Sequence, residues 1–278
     1  MSTPVRLLAI DIDGTLVNSQ VQIPPANIAA LERAHRSGVD IVLVTGRRHM
    51  FALPIALQAG VPLWLISSNG AVTQSLDGEL FHTDFLPVET ARRVCRHMSE
   101  FRRQMVFTFD KTTKGALVLE SRDSFHPSIA NWMAKNAEYI ETVVPIERSL
   151  TSDPIQAMFC GGVEPMRRLQ AHLESGEVAR DVTVLRTEYP VRDLSIVDVL
   201  NHSCSKGAAV ARWAQHRGVR REEVMAIGDN FNDVEMLRFA GQPFLMGNAC
   251  AELKQKGWTC VPSNDENGVA AAIEQAIG

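Results

Sequence analysis

Long apolar runs, paired cysteines and an excess of positive charge are all missing from this 278-residue chain. No stretch approaches the roughly 18 apolar residues of a membrane span, and no secretory leader pattern is visible. The protein is therefore expected to be soluble and cytoplasmic, with no membrane partner. The five cysteines, Cys95, Cys160, Cys204, Cys250 and Cys260, are scattered and form no C-x-x-C pair. A disulfide framework or a zinc site would need closer spacing, so they read as small buried residues in a reducing compartment. Twenty-eight Lys and Arg stand against 32 Asp and Glu, a formal charge of −4. Nucleic acid would favour a basic face, so it is not expected as a partner. There is no internal repeat and no low-complexity tract. No G-x-G-x-x-G follows the first apolar run, which disfavours a dinucleotide-binding oxidoreductase.

What is present is apolar content enough for a sizeable core, 45%, in a chain long enough for two domains. Short runs at 7–10, 39–44 and 63–66 are rich in Leu, Val and Ile, lack alternation, and end in small or polar residues. Such runs suit strands buried on both faces of a parallel sheet. Between the first two, Pro24-Pro25 can open a helix, Ile28, Leu31 and Ala34 recur at helical spacing, and Gly38 closes it. The strand–helix–strand rhythm returns late, with helices expected at 205–215, 234–240 and 269–277 and strands at 224–227, 244–246 and 260–261. The middle mixes strands at 105–109, 116–119, 156–159 and 182–185 with helices at 87–101 and 165–173. The expectation is a doubly wound α/β core over 1–83 and 194–278, the 194–199 run returning to that core. An α+β module over 84–193 is inserted into it.

Ligands bind beyond the carboxyl ends of strands in an open α/β sheet. Four such ends carry polar groups followed by Gly or Asn: Asp11-Ile12-Asp13-Gly14-Thr15, Thr45-Gly46-Arg47, Ser67-Ser68-Asn69-Gly70 and Gly228-Asp229-Asn230. If they share a cleft, Asp11, Asp13, Asp229 and Asp233 crowd together, at a cost on the order of 4 kcal/mol per close pair at an effective dielectric near 20. A hard divalent cation with oxygen ligands relieves that repulsion, and few carboxylates plus a substrate phosphate is the usual setting for Mg2+. An aspartate is ionised at neutral pH and needs no activating base to act as a nucleophile, which suits Asp11. Asp13 is placed to protonate a leaving alkoxide and later deprotonate water. Thr45 and Lys206 can stabilise phosphoryl charge, and Asp229 can hold the metal.

The strings DIDGTL at 11–16, VTGR around Thr45, SKG with Lys206 and GDNFND at 228–233 resemble the haloacid dehalogenase superfamily. SSNGA at 67–71, MGNA at 246–249 and SNDENGVA at 263–270 resemble its Cof-like branch of sugar- and metabolite-phosphate phosphatases. The resemblance implies a Rossmann-like core with a cap inserted after the third strand. It implies Mg2+ held by the Asp11 carboxylate, the Asp13 backbone carbonyl and the Asp229 carboxylate, with Asn232 and Asp233 binding or orienting the site. Gly46, Asn69, Gly70 and Asn232 are expected to line the phosphate pocket. The implied activity is hydrolysis of a small phosphorylated metabolite through an aspartyl-phosphate. Arg122, His126, Tyr189 and Arg192 in the cap, and His202 or Cys204 before Lys206, are candidates to meet substrate, although a surface or loop role accounts for each. A phosphomutase shares this chemistry and stays open as an alternative. A receiver-like domain is shorter and lacks the inserted module, and a non-catalytic sensor would not need the acid–base residue.

Overall fold

The first apolar run forms β1 (Leu7–Asp11), buried at all five positions. It is followed by α1 (Pro25–Arg36), β2 (Asp40–Val44), α2 (His49–Gln58), β3 (Trp64–Ser67) and a hairpin of β4 (Val72–Ser75) and β5 (Leu80–Thr83). The chain then runs through α3 (Val88–His97), β6 (Met105–Thr108), β7 (Leu117–Leu119), α4 (Ala130–Lys135), β8 (Ile140–Thr142) and β9 (Gln156–Gly161). Next come α5 (Val163–Ser175), β10 (Val182–Tyr189) and β11 (Leu194–Asn201). It closes with α6 (Lys206–His216), β12 (Val224–Gly228), α7 (Val234–Phe239), β13 (Gln242–Met246), α8 (Ala251–Lys254), β14 (Thr259–Val261) and α9 (Gly268–Ile277). These elements come from a computed structural model that describes residues 3–125 and 127–277. The chain separates into two units, one of residues 1–83 and 205–278, the other of residues 84–204.

The first unit is built on an eight-stranded sheet in the order β14-β13-β12-β1-β2-β3-β4-β5. From β14 to β3 all pairs are parallel, and β4 and β5 add antiparallel at one edge. The absence of alternation in the strands follows from burial on both faces. Leu8, Ile10, Ile41, Leu43, Leu65 and Ile227 pack with apolar residues of α1, α2 and α9. Their neighbours Leu7, Ala9, Val42, Val44, Ile66 and Ala226 pack with α6, α7 and α8 on the other side. Helices on both faces of a mostly parallel sheet make this a doubly wound α/β fold. The chain leaves β1 toward β3 in one direction and returns at β12, on β1's other side. The strand order therefore reverses between β1 and β12, the point at which such sheets bind ligands.

Asn27 lies within the apolar stripe of α1 and is fully buried. Its Nδ2 donates to the Leu16 carbonyl at 3.1 Å and its Oδ1 accepts from the Ala270 amide at 3.0 Å. One side chain thus ties α1, the loop after β1 and α9 together, and its polar atoms are satisfied as burial requires.

The second unit has a six-stranded sheet in the order β10-β11-β9-β6-β7-β8, antiparallel except for the β7–β8 pair. Its faces alternate: Met105, Phe107, Phe159, Val197 and Val199 pack with α3 and α5, while Val106, Leu119, Met158 and Cys160 face a second cluster that includes Ile129. Three expectations change here. The 194–199 run does not return to the core; it is β11, paired with β10 over eight residues and with β9 over five. The inserted unit therefore extends from Asp84 to Cys204. An apolar strand reads alike in either sheet, and only the neighbours that satisfy its backbone decide which one takes it. The insertion also follows the β4–β5 hairpin rather than β3 directly. In addition, the helix expected over 87–101 ends at His97 and continues as a 3-10 turn over Ser99–Gln104. No described helix is long and apolar enough to cross a membrane.

Candidate active site at the carboxyl ends of β1 and β12

Asp11 is the last residue of β1 and is buried, as are Thr45 at the end of β2 and Lys206 at the start of α6. Lys206 is placed by its helix: Ser205 caps α6 through Oγ, which accepts from the Ala208 amide at 3.1 Å. Its Nζ donates to Asp11 Oδ1 and to Asp233 Oδ1, both at 2.6 Å. The other oxygen of Asp233 accepts from the backbone amides of Asp229 and Asn230, each at 3.0 Å. Asp233 is thereby engaged on both oxygens and holds the turn after β12 in shape. Gly228 precedes that turn because a Cβ there would lie 2.6 Å from the Cβ of Asp233.

The β1 loop bends back at once, with the Leu16 amide donating to the Asp11 carbonyl at 3.2 Å. Gly14 has φ of +78°, and a Cβ on it would sit 2.4 Å from Asp229 Oδ2. Both the backbone conformation and the close approach of the two loops require glycine. Asp229 in turn accepts from Thr15 Oγ1 at 3.5 Å and from Asn248 Nδ2 at 3.2 Å.

The ends of β2 and β3 are sewn together by backbone bonds, Ser68 N to the Arg47 carbonyl at 2.8 Å and Asn69 N to the Thr45 carbonyl at 2.9 Å. Thr45 Oγ1 accepts from the Arg47 amide at 3.1 Å, leaving the hydroxyl proton to donate. Arg47 reaches Asp13 with two bonds, Nε to Oδ2 at 2.6 Å and Nη2 to Oδ1 at 2.5 Å. Asn69, at φ of +56° and buried, accepts from Asn232 Nδ2 at 3.0 Å, joining the β3 end to the β12 turn. A Cβ on Gly46 would come within 3.1 Å of Asn69 Oδ1, so the two loops are in contact.

Asp11, Asp229 and Asp233 each bring a carboxylate oxygen within 4.8 Å of the others. Burial, then the Asp233 charge, push the Asp11 carboxyl up to about 7 against the pull of Lys206. Burial and Asp11 likewise raise Asp229 well above the ordinary carboxylate value. Burial alone would lower the Lys206 ammonium, but Asp11 and Asp233 override it and hold the lysine charged. One cation thus serves three buried or half-buried carboxylates. Asp11 Oδ2 is buried with no hydrogen-bond partner among the described residues. An orphan anionic oxygen beside a second carboxylate, in a set made only of oxygen donors, fits a hard divalent cation.

Asp11, Lys206, Asp229 and Asp233 therefore meet at one place, and bonds through Thr45, Arg47, Asn69 and Asn232 knit the neighbouring strand ends together. Cys204 is buried, whereas His202, Arg122 and Arg192 are exposed and Tyr189 is half-buried in the second unit. His126 lies outside the described residues. Sequence reading left Arg47, Thr15 and Asn248 without roles. Arg47 and Asn248 sat within strings already noted, but their partners are 34 and 19 or more residues away in sequence.

The profile of a haloacid dehalogenase-like hydrolase family matches residues 8–273. Phosphatase YwpJ of Bacillus subtilis (strain 168) is 31% identical over 98% of this chain and 100% of its own. HMP-PP phosphatase of Escherichia coli (strain 55989 / EAEC) is 29% identical over 90% of this chain and 86% of its own. A solved haloacid dehalogenase-like hydrolase from B. subtilis superposes with a TM-score of 0.77 at 26% identity, covering 97% of this chain and 99% of that one. With the match spanning nearly the whole sequence and the fold, the chain belongs to the haloacid dehalogenase-like hydrolases, an enzyme family.

Proposed function

We propose that the chain is a cytoplasmic, Mg2+-dependent phosphatase of small phosphorylated metabolites that passes the phosphoryl group through Asp11 to water. The observation that carries this reading is the bare Asp11 Oδ2 in a buried carboxylate cluster whose other Asp11 oxygen is held by Lys206. The relatives named as phosphatases, one of them acting on HMP-PP, support the same reaction class.

One oxygen of the Asp11 carboxylate attacks phosphorus, and the bond from phosphorus to the ester oxygen breaks. Asp13 gives its proton to that departing oxygen, then takes one from the water that attacks the aspartyl-phosphate; phosphate leaves and Asp11 is restored. In the structure Arg47 holds both oxygens of the Asp13 carboxylate, so Asp13 takes up its proton and turns from Arg47 before it acts as the acid. The Thr45 hydroxyl and the Lys206 ammonium face the charge of the transferring group, with Gly46, Asn69, Gly70 and Asn232 framing its pocket. The carboxylates of Asp11 and Asp229 and the backbone carbonyl of Asp13 would hold Mg2+, with Asp233 orienting the turn. When bound, the cation supplies charge neutralisation and a template for the phosphoryl oxygens. The second unit, residues 84–204, acts as the cap that selects the leaving group.

A panel of sugar phosphates, nucleotides and cofactor phosphates, assayed with Mg2+, is expected to yield free phosphate. Asp11→Asn should abolish release while leaving the circular dichroism spectrum unchanged. Wild-type-like turnover by that variant, or full turnover in excess chelator, refutes the reading.

A further inference from the structure

Two strings near the C-terminus, 246–249 and 263–270, carry none of the groups assigned to phosphoryl transfer above, yet they converge on Asp229. Asn248 makes three hydrogen bonds with one amide. Its Nδ2 donates to the Gly14 carbonyl at 2.8 Å and to Asp229 Oδ2 at 3.2 Å, and its Oδ1 accepts from the Asn264 amide at 3.1 Å. The backbone donor at Asn264 fixes which way the amide points. With the oxygen turned to that N–H, the two hydrogens on nitrogen must face the β1 loop and Asp229. Asn264 is itself pinned, since its Nδ2 donates to the Val17 carbonyl at 2.9 Å. Its turn is closed by Ser263 Oγ on Glu266 at 2.7 Å and tied again by the Ser19 amide on Asp265 Oδ1 at 2.8 Å.

We infer that Asn248, held by Asn264, is a positioning residue that aims the Asp229 carboxylate and the Gly14 backbone at the cation site. The inference rests on the metal-dependent reading above and goes beyond it by assigning a residue that touches neither substrate nor cation. The physical need is visible in the charges. Asp229 is repelled by Asp11, and among the described residues its side-chain donors besides Asn248 come down to Thr15, at 3.5 Å. A donor on Oδ2 that is also anchored to the β1 loop keeps the two strand ends at a fixed separation and prevents the carboxylate from turning away. Aspartate at 248 would put a further negative charge in the same place, and alanine would leave both acceptors without their shared donor.

The test uses the full chain stripped of metal. Mn2+ and Mg2+ are titrated by calorimetry without substrate, and melting is followed in EDTA. Asn248→Ala is expected to weaken cation binding roughly 10- to 100-fold, as loss of a group orienting a ligand does, with near-normal melting in EDTA. The Mg2+ concentration needed for half-maximal phosphate release should rise in step. Should Asn248→Ala not fold, Asn248→Ser, too short to reach Asp229, replaces it with the same expectation. An unchanged cation Kd overturns the inference, as does a weaker Kd accompanied by an equal loss of stability in EDTA. If the wild-type chain itself binds neither cation, the proposed function fails, and this inference with it.

Discussion

Lys206 is the residue on which the buried charges balance. Its ammonium is shared between Asp11 and Asp233, each at 2.6 Å, and all three side chains are at most 5% exposed. Lys206→Met keeps the aliphatic stem and removes the charge, leaving the two carboxylates facing each other. Turnover at saturating Mg2+ is expected to fall on the order of 10³-fold, the scale for losing a preorganised charge at a developing anion. Urea unfolding should show a loss of about 3–5 kcal/mol, the usual result of orphaning a buried charge. Stability close to wild type would mean that the three groups are not coupled as their geometry implies. Arg47 performs the same service for Asp13 at a more open position, where water shares the work.

At the level of elements, the site depends on loops that grip one another, and those grips are made by amides. Asn69 with Asn232, Asn248 with Asn264, and Asn27 with both Leu16 and Ala270 are side-chain bridges between segments that the sheet alone would leave loose. Asn27 offers a clean test because it is buried and bonds only to backbone outside its own helix. Asn27→Ala leaves a carbonyl and an amide unpaired, and chemical denaturation should report a loss of about 2 to 4 kcal/mol. Phosphate release at saturating metal should remain within a few-fold. A variant of unchanged stability would show that water replaces both bonds freely.

For the molecule as a whole, the carboxylate cluster couples folding to pH and, under the proposed function, to a bound cation. The Asp11 carboxyl titrates near 7 in the folded chain against an ordinary value of 3.8, and Asp229 is raised as well. The folded, metal-free protein therefore binds these protons more tightly than the unfolded chain does. Stability from this source is complete below about pH 4 and is lost as pH rises through 7. A cation that replaces the protons reverses the trend. Scanning calorimetry from pH 5 to 8 should show the melting temperature in EDTA declining relative to that in Mg2+, so that the stabilisation by Mg2+ grows with pH. A gap that narrows as pH rises would contradict the cluster's assignment as the cation site.

The sequence by itself pointed to the hydrolase family and to the strand ends at which polar groups collect. Unalternating Val, Ile and Leu runs that stop at Asp11, Thr45, Ser67 and Gly228 mark strands buried on both faces, and the groups at their ends are local in sequence. The hairpin that extends the sheet was also legible in principle, since Asp77-Gly78 stands between Val72–Ser75 and Leu80–Thr83, a pairing that favours a tight turn. Tertiary structure alone decided the rest. Which sheet claims β11 depends on backbone partners in β9 and β10. Which donors hold Asp13, Asp229 and Asn27 depends on contacts spanning 11 to 243 residues. Such partners leave no periodic trace, because a hydrogen bond between distant loops constrains two side chains in space and nothing about the residues between them.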